Sequence, residues 1–432
     1  MPSKNKKLLQ IAYVSVEELK ANPNNPRTHS EKQVAKIARN VKKNGFTNPV
    51  LIDQDNMIIA GHGRVSAAKL IGLDQVPTIL LENLTKEELR AYAIADNKLA
   101  LEAGWDEEML KIEFQNLIEL DFDVSDTGFE IPEIDFIVNC NYVKNKKPDK
   151  ADILPDENKV PRKVETGDLW KLGNHYLYCG DSLKEDSYKI LLDDQKANMI
   201  LTDPPYNVPI SGHVCGSGKI KHQEFAMASG EMSEQEFTNF LETIFKNLAK
   251  YSTDGSIHFH YMDWRHCLEI ITAGNKVYTE LKNICVWNKM QGGMGSLYRS
   301  QYELVFVFKN GTEKHTNNVE LGKHGRYRTN LWEYKGVSVT NPGSLEDLKL
   351  HPTCKSVAMI MDAILDCSKP NDIILDCFAG SGSTLLAAER TRRKAYVIEY
   401  EPKYCDVILY RYEKLFKKKA ELIGNDKEAK ND

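Results

Sequence analysis

Residues 372–384 read Asp372-Ile-Ile-Leu375-Asp376-Cys377-Phe378-Ala379-Gly380-Ser381-Gly382-Ser383-Thr384. An apolar strand runs into a glycine-bearing turn that opens a helix over 383–391, and glycines at such a junction let a ligand approach the backbone closely. Two common loops of this shape are absent. A phosphate-cradling Walker loop needs Gly-Lys-Ser/Thr, and no lysine is present. A dinucleotide fingerprint needs Gly or Ala three residues after Gly382, where Leu385 stands. The next strand, 395–399, closes on Glu399, and an acidic side chain there suits ribose hydroxyls.

Around this stretch, strands and helices alternate from residue 166 on, the pattern of an α/β layered fold. Strands are expected at 175–179, 198–202, 256–261, 284–288, 303–308, 372–376 and 395–399, and helices at 184–193, 233–251, 263–274, 355–367, 383–391 and 402–420. The stretch 289–350, richer in Gly, Asn and basic residues, interrupts the alternation. Asp203-Pro204-Pro205-Tyr206 follows the apolar run Met199-Ile-Leu-Thr202, so it sits at a strand's carboxyl end, where ligands bind in open α/β sheets. Two prolines fix the turn and leave carbonyls that no local N–H claims. An Asp carboxylate and a proline carbonyl can accept both hydrogens of an exocyclic amine and stabilise the positive charge it gains on alkylation. Tyr206 adds a flat face for a base, worth about 1–3 kcal/mol. A structural Asp-Pro-Pro turn with a packed Tyr is the competing reading. Cys179-Gly180-Asp181-Ser182 ends another strand; Asp181 suits an adenine amino group or, equally, a helix N-cap.

Residues 8–140 read as a separate compact unit. Helical spacing appears at Val16–Leu19 and 31–44, a hairpin at Pro49–Ile52 and Met57–Ile59, and a helix at Val65–Ile71 behind Gly61-His62-Gly63-Arg64. Val76–Leu81 is a further strand, and 86–135 is mostly helical. Residues 141–165, polar with three prolines, read as a linker, and the tail from Phe416 as charged and frayed.

The chain has 432 residues and a net charge of −5, which on its face disfavours a nucleic-acid partner. The distribution reverses that. Ten Lys/Arg against three Glu fall in 1–50, eight against three in 282–328, while 86–135 holds four against fifteen Asp/Glu. Binding follows the local field, not the sum. No apolar run is long enough for a membrane span, and the charged start lacks a signal core. The nine cysteines include no C-x-x-C pair, so no metal site is expected and cytoplasmic, reduced thiols are the simplest reading.

Through these motifs, residues 166–415 resemble a β-class amino-group DNA methyltransferase that uses S-adenosyl-L-methionine. Asp-Pro-Pro-Tyr precedes Phe-x-Gly-x-Gly, a permuted order that places target recognition between them, about 289–350. Trp287-Asn-Lys289, Gly295-Ser-Leu-Tyr-Arg-Ser300, Gly325-Arg-Tyr-Arg-Thr-Asn330 and His351-Pro-Thr-x-Lys355 extend the match, with Ser356 where the family has Pro. The resemblance implies a Rossmann-like methyltransferase sheet and the following roles. Asp203, Pro204, Pro205 and Tyr206 hold a flipped base, most simply adenine for N6 methylation. Asp181, Ser182, Lys355, Asp376, Phe378, Gly380, Gly382, Thr384 and Glu399 serve the cofactor. Lys289, Arg299, Arg326 and Arg328 are candidates for DNA recognition. N4 of cytosine, or a DNA-binding protein with an inactive methylase half, remain alternatives.

Residues 8–140 resemble a smaller α+β ParB/sulfiredoxin-like domain through Asn22-Pro23, Arg27-Thr28-His29, Gly45-Phe46, Pro49-Val50, Gly61-His62-Gly63-Arg64, Ala67-Ala68 and Val76-Pro77. The resemblance implies a phosphate or DNA contact at Arg27, Gly61, His62, Gly63 and Arg64, in keeping with a glycine corner at a helix N-terminus beside an arginine. Gly63 stands where sulfiredoxin chemistry needs a thiol. Double-stranded DNA is the expected partner and no metal or membrane is expected; a homodimer and a restriction-modification context stay open.

Overall fold

The computed structural model describes residues 9–102, 104–120, 122–139, 149–156, 159–208, 230–290, 297–320, 328–334 and 355–425. The chain divides into two compact units, Met1–Val138 and Asn139–Asp432.

The first unit holds β1 (Ile11–Ser15), α1 (Glu31–Asn44), β2 (Val50–Ile52), β3 (Ile58–Ala60), α2 (His62–Leu70), β4 (Gln75–Leu80), α3 (Lys86–Glu102), α4 (Glu107–Glu119) and α5 (Ile131–Asn139). Its four strands lie in the order β1-β4-β2-β3, with β2 and β3 the antiparallel hairpin. Val16, Val50, Ile58, Val65 and Val76 form its core. Ser30 caps α1 by accepting from Gln33 N, the side-chain bond that helix N-termini favour. Val16–Leu19, read as helical, is a turn after β1, because Val16 and Leu19 are drawn into the sheet's core. The acidic stretch folds around its own apolar centre of Phe114, Val124 and Ile134.

The second unit holds β5 (Asp168–Leu172), β6 (His175–Cys179), α6 (Glu185–Leu192), β7 (Ala197–Thr202), α7 (Glu234–Lys250), β8 (Ser252–Met262), α8 (Cys267–Val277), β9 (Glu280–Asn288), β10 (Tyr302–Lys309), β11 (Leu331–Glu333), α9 (Val357–Cys367), β12 (Ile373–Asp376), α10 (Ser383–Arg390), β13 (Lys394–Glu399), α11 (Pro402–Phe416) and β14 (Glu421–Asn425). They build one ten-stranded sheet in the order β11-β9-β10-β8-β7-β12-β13-β6-β5-β14. The run from β8 to β6 is parallel. Successive residues of β7 enter opposite cores, Met199 and Leu201 on one face and Ile200 on the other. That is why the strand is apolar throughout instead of alternating.

Two parts of this layout place the site. The chain leaves β7 toward β8 on one side and reaches β12 on the other, so the carboxyl ends of β7 and β12 flank a switch point where open sheets bind ligands. β10 runs antiparallel to β8, pairing Leu304 with Met262, and β9 runs antiparallel to β10, pairing Trp287 with Glu303. The start of β10 and the end of β9 therefore share that same edge.

Two readings from composition change. Part of the 141–165 stretch is built into the second unit. Asp149 pairs with Arg390, Asp152 Oδ1 accepts from Val357 N at 2.8 Å, and the Arg411 guanidinium spans the Ala151 carbonyl and Ser381. Asp152 thus caps α9 in place of the neighbouring Ser356, whose side chain makes no cap bond. The tail beyond Phe416 is not frayed over 421–425, since β14 closes the sheet against β5.

Candidate active site

Along the sheet edge, the β12 end is held by hydrogen bonds around Asp376. Thr202 Oγ1 donates to Asp376 Oδ1 at 2.8 Å and Thr384 Oγ1 to Oδ2 at 2.6 Å, while Phe378 N donates to Oδ1 at 3.1 Å. Burial pushes this carboxyl up to about 6 against those bonds. The loop then turns back, with Gly380 N donating to Glu399 Oε2 at 2.8 Å and Glu401 N to Oε1 at 3.0 Å. Burial lifts Glu399 to about 7. Each oxygen of Glu399 keeps a lone pair for a further donor. A Cβ built on Gly380 meets nothing within 4 Å, whereas one on Gly382 lies 2.8 Å from Ile408. Gly380 thus borders open space and Gly382 a packed helix. The Phe378 ring sits 6.4 Å from that of Phe240. On the β6 side, Asp181 Oδ1 accepts from Leu183 N at 2.9 Å, a local turn. Ser182 is buried, and its carbonyl accepts from the Tyr188 hydroxyl.

The β7 end carries a cluster of charge. Lys355 Nζ lies 2.7 Å from Asp203 Oδ2 and 2.9 Å from Glu303 Oε2, and donates to the Tyr206 hydroxyl at 3.1 Å. That hydroxyl is 2.5 Å from Asp203 Oδ1 and 3.1 Å from Glu303 Oε2. Lys289 pairs with Glu303 from the end of β9. Three rings surround the Lys355 ammonium, with centroids at 5.0 Å (Tyr261), 5.4 Å (Trp287) and 5.5 Å (Tyr206). Pro204 is buried beneath the turn and Pro205 partly so. Burial pushes the Asp203 carboxyl up, with Lys355 opposing it. Burial also disfavours ionised Glu303, but Lys355 and Lys289 outweigh it and bring that carboxyl down to about 2. The two carboxylates share the Lys355 ammonium, and Glu303 has Lys289 as a second cation.

Lys355 stands among the motif residues assigned to the cofactor, yet its ammonium lies on Asp203 and Tyr206. Glu303, Tyr261, Trp287 and Thr202 were not among the candidates. The available signal for Glu303 was a lone carboxylate at the head of an apolar strand, Tyr302–Lys309, only 6 % exposed once folded.

The basic candidates separate. Lys289 belongs to the cluster above. Arg299 is exposed on the stretch before β10. Arg328 is engaged internally, with Nε donating to Asp366 at 3.0 Å, Nη1 to the Tyr334 hydroxyl at 2.8 Å, and the guanidinium over Trp332. It acts as a packing residue, because a half-buried guanidinium needs these partners. Arg326, much of 289–350 and His351–Cys354 lie outside the described residues. In the first unit, Arg27 Nη1 donates to Asn97 Oδ1 at 3.1 Å, and His62 Nε2 accepts from Asn22 N at 3.2 Å. Arg64 Nη1 donates to the carbonyls of Asn48 (2.5 Å) and Pro49 (2.9 Å). A Cβ on Gly61 would meet that guanidinium at 3.3 Å, and one on Gly63 the His29 ring at 3.0 Å. Among the described residues no group of His, Cys, Asp and Glu could hold a metal, and no helix is long and apolar enough to cross a membrane.

With this geometry in place, residues 197–410 match the model of the DNA methylase family, which spans β7 through most of α11 and so contains both ends of the site. Residues 197–410 belong to the DNA methylase family. Ahead of the methylase region, residues 2–98 match the ParB N-terminal domain and 108–165 the ParB-methyltransferase HTH domain. The latter runs across the boundary that composition suggested at 141. The ParB-like nuclease domain-containing protein YnaK of Escherichia coli (strain K12) is 50% identical over 80 residues, 18% of this chain and 92% of that protein. The type II methyltransferase M.HinfI of Haemophilus influenzae is 25% identical over 231 residues, 50% of this chain and 63% of that enzyme. Among solved structures, the cytosine-N4-specific PvuII DNA methyltransferase aligns with 18% identity and a TM-score of 0.42, covering 57% of this chain and 92% of that one.

Proposed function

We propose that this methylase transfers a methyl group from S-adenosyl-L-methionine to the exocyclic amine of a DNA base turned out of the duplex, with N6 of adenine favoured over N4 of cytosine. The observation that carries the reading is the juxtaposition at one sheet edge of the Asp203–Tyr206 acceptor set with the open Gly380–Glu399 corner.

The residues fit the cofactor. Glu399 offers carboxylate lone pairs for ribose hydroxyls, Phe378 a ring for the adenine, and Gly380 unobstructed backbone for the methionine end. Bound there, the cofactor supplies an electrophilic methyl on a sulfonium. The chain's own residues do the rest. Asp203 and the Pro204 carbonyl accept from the two amine hydrogens, drawing the nitrogen toward a pyramidal, more nucleophilic form. Tyr206 stacks on the base and fixes its approach, and such orientation accounts for much of the rate in a direct displacement. Asp203, which has one lysine partner where Glu303 has two, is placed to take up the proton that the amine sheds. An aspartate at the motif's first position is what favours adenine. Extrusion is required because the amine is inaccessible inside the helix. The first unit, with its basic first fifty residues, adds affinity for the duplex backbone.

The test is transfer of labelled methyl groups to polymerase-amplified, unmethylated genomic DNA, followed by nucleoside analysis. N6-methyladenine is expected. Asp203→Ala lowers turnover by about 10³-fold and leaves cofactor binding within about twofold. N4-methylcytosine would replace the favoured base, and loss of cofactor binding with residual turnover would overturn the role of Asp203.

A further inference from the structure

The Lys355 ammonium is an unusual occupant for an amine-binding site. It is 6 % exposed and lies within hydrogen-bond distance of three oxygens, Asp203 Oδ2, Glu303 Oε2 and the Tyr206 hydroxyl. Three aromatic rings stand within the distance at which a cation is attracted to a ring face. The Tyr261 hydroxyl in the same wall is buried and has no partner among the described residues. Two carboxylates with an aromatic surround make a cage for a positively charged nitrogen, and an amine under alkylation becomes one.

We infer that Lys355 is a tethered stand-in for the target amine: its ammonium holds the amine's place in a cage formed by Asp203, Glu303 and Tyr206, and an arriving base displaces it from Asp203 while Glu303 retains it. The inference rests on the reading of Asp203 and Tyr206 as the amine's acceptors. Its physical basis is the cost of an empty cage. A buried carboxylate stripped of its partner destabilises strongly, so the site is closed by one nitrogen until another replaces it. Glu303 makes the exchange feasible, because it keeps Lys355 paired once Asp203 is released. Lys289, on the far side of Glu303, steadies that second carboxylate. Lys355 and Glu303 are in this sense positioning residues, setting when Asp203 is available.

Asp203 faces Lys355 ahead of α9, Glu303 on β10, Tyr206 on its own turn, Tyr261 on β8 and Asp376 on β12, with Lys289 behind Glu303. Removing the cation therefore raises the Asp203 carboxyl, and removing the neighbouring anion lowers it. Activity that needs ionised Asp203 rises through that value on its acid limb. Lys355→Met moves the acid limb of kcat/KM to higher pH, and Glu303→Gln moves it to lower pH. If turnover did not need ionised Asp203, both variants would lower activity without separating their limbs.

A second measurement needs neither DNA nor cofactor. Lys355→Ala vacates the cage, and calorimetric titration with n-butylammonium detects its filling. The variant is expected to bind the ammonium at least tenfold more tightly than the wild type, and Asp203→Asn in the same background removes the gain. Circular dichroism confirms that the variants fold; if Lys355→Ala does not, the paired acid limbs of Lys355→Met and Glu303→Gln decide. Limbs that fail to diverge, or a folded Lys355→Ala with no gain over the wild type, overturn the inference. Ammonium binding by the variant in a protein that methylates no DNA would leave the cage standing and sink the functional reading instead.

Discussion

The β3–α2 corner of the first unit and the β12–α10 corner of the second are built alike. Each carries the chain from a short buried strand into a helix through a glycine with positive φ, Gly61 at 111° and Gly382 at 85°, and neither helix has a side-chain cap. They differ in what fills them. At the first corner the chain's own Arg64 lies beside Gly61 and donates to two carbonyls. At the second, Gly380 faces open space and its N–H is directed to Glu399. The same strand–glycine–helix pattern thus gives one corner closed by an arginine and one that borders open space. A helix N-terminus is suited to anions in both; occupancy depends on which side chain stands in the helix's first turn, Arg64 in one and Leu385 in the other.

The largest effect that would sharpen this contrast is at Gly382. Alanine there combines a left-handed backbone with a Cβ 2.8 Å from Ile408, and a loss of about 3 kcal/mol is expected in chemical denaturation of the second unit. An unchanged midpoint would mean that the corner is not tightly packed. Next is Arg64→Ala, which removes two charged hydrogen bonds to carbonyls and is expected to destabilise the first unit by about 2 kcal/mol. Undiminished stability with lost DNA or nucleotide binding would make Arg64 a ligand residue and break the comparison. Third is a pH effect at the open corner. Glu399 is lifted to about 7 by burial, and hydroxyl donors favour its ionised form, so cofactor affinity should rise about tenfold from pH 6 to pH 8. Folding runs the other way: a raised carboxyl favours the native state below its unfolded value, and that contribution is lost as pH climbs through 7. Equilibrium dialysis across pH checks the binding, and Glu399→Gln should flatten it. The smallest expected effect is Gly380→Ala, about 1 kcal/mol in stability, with the loss appearing mainly in cofactor affinity.

Much of the second unit is readable in the sequence, because strands buried on both faces are continuous apolar runs bounded by turns. Sites at strand ends follow from that, as Asp203, Asp376 and Glu399 do. What escapes is what depends on antiparallel return. Among the described residues β14 pairs only with β5, and β5 only with β14 and β6, at the sheet's far edge, and the lysines around 417–419 look like a solvated tail. Glu303 and Lys289 join Asp203 only because β10 reverses against β8 and β9 against β10, pairings that no local window contains. Lys355 is recognisable by its motif but not by its place, since it reaches the β7 end from the segment before α9. Arg328 reads as a basic surface residue, and only its bonds to Asp366 and Tyr334 show otherwise.

One guanidinium has a mechanical consequence. Arg411 holds the Ala151 carbonyl with one nitrogen and Ser381, between the two glycines of the open corner, with the other. Residues 149–156 and the glycine loop after β12 are therefore joined through one side chain. Arg411 thus ties residues 149–156 directly to the loop, beside the Asp149–Arg390 and Asp152–Val357 contacts that tie them to α10 and α9.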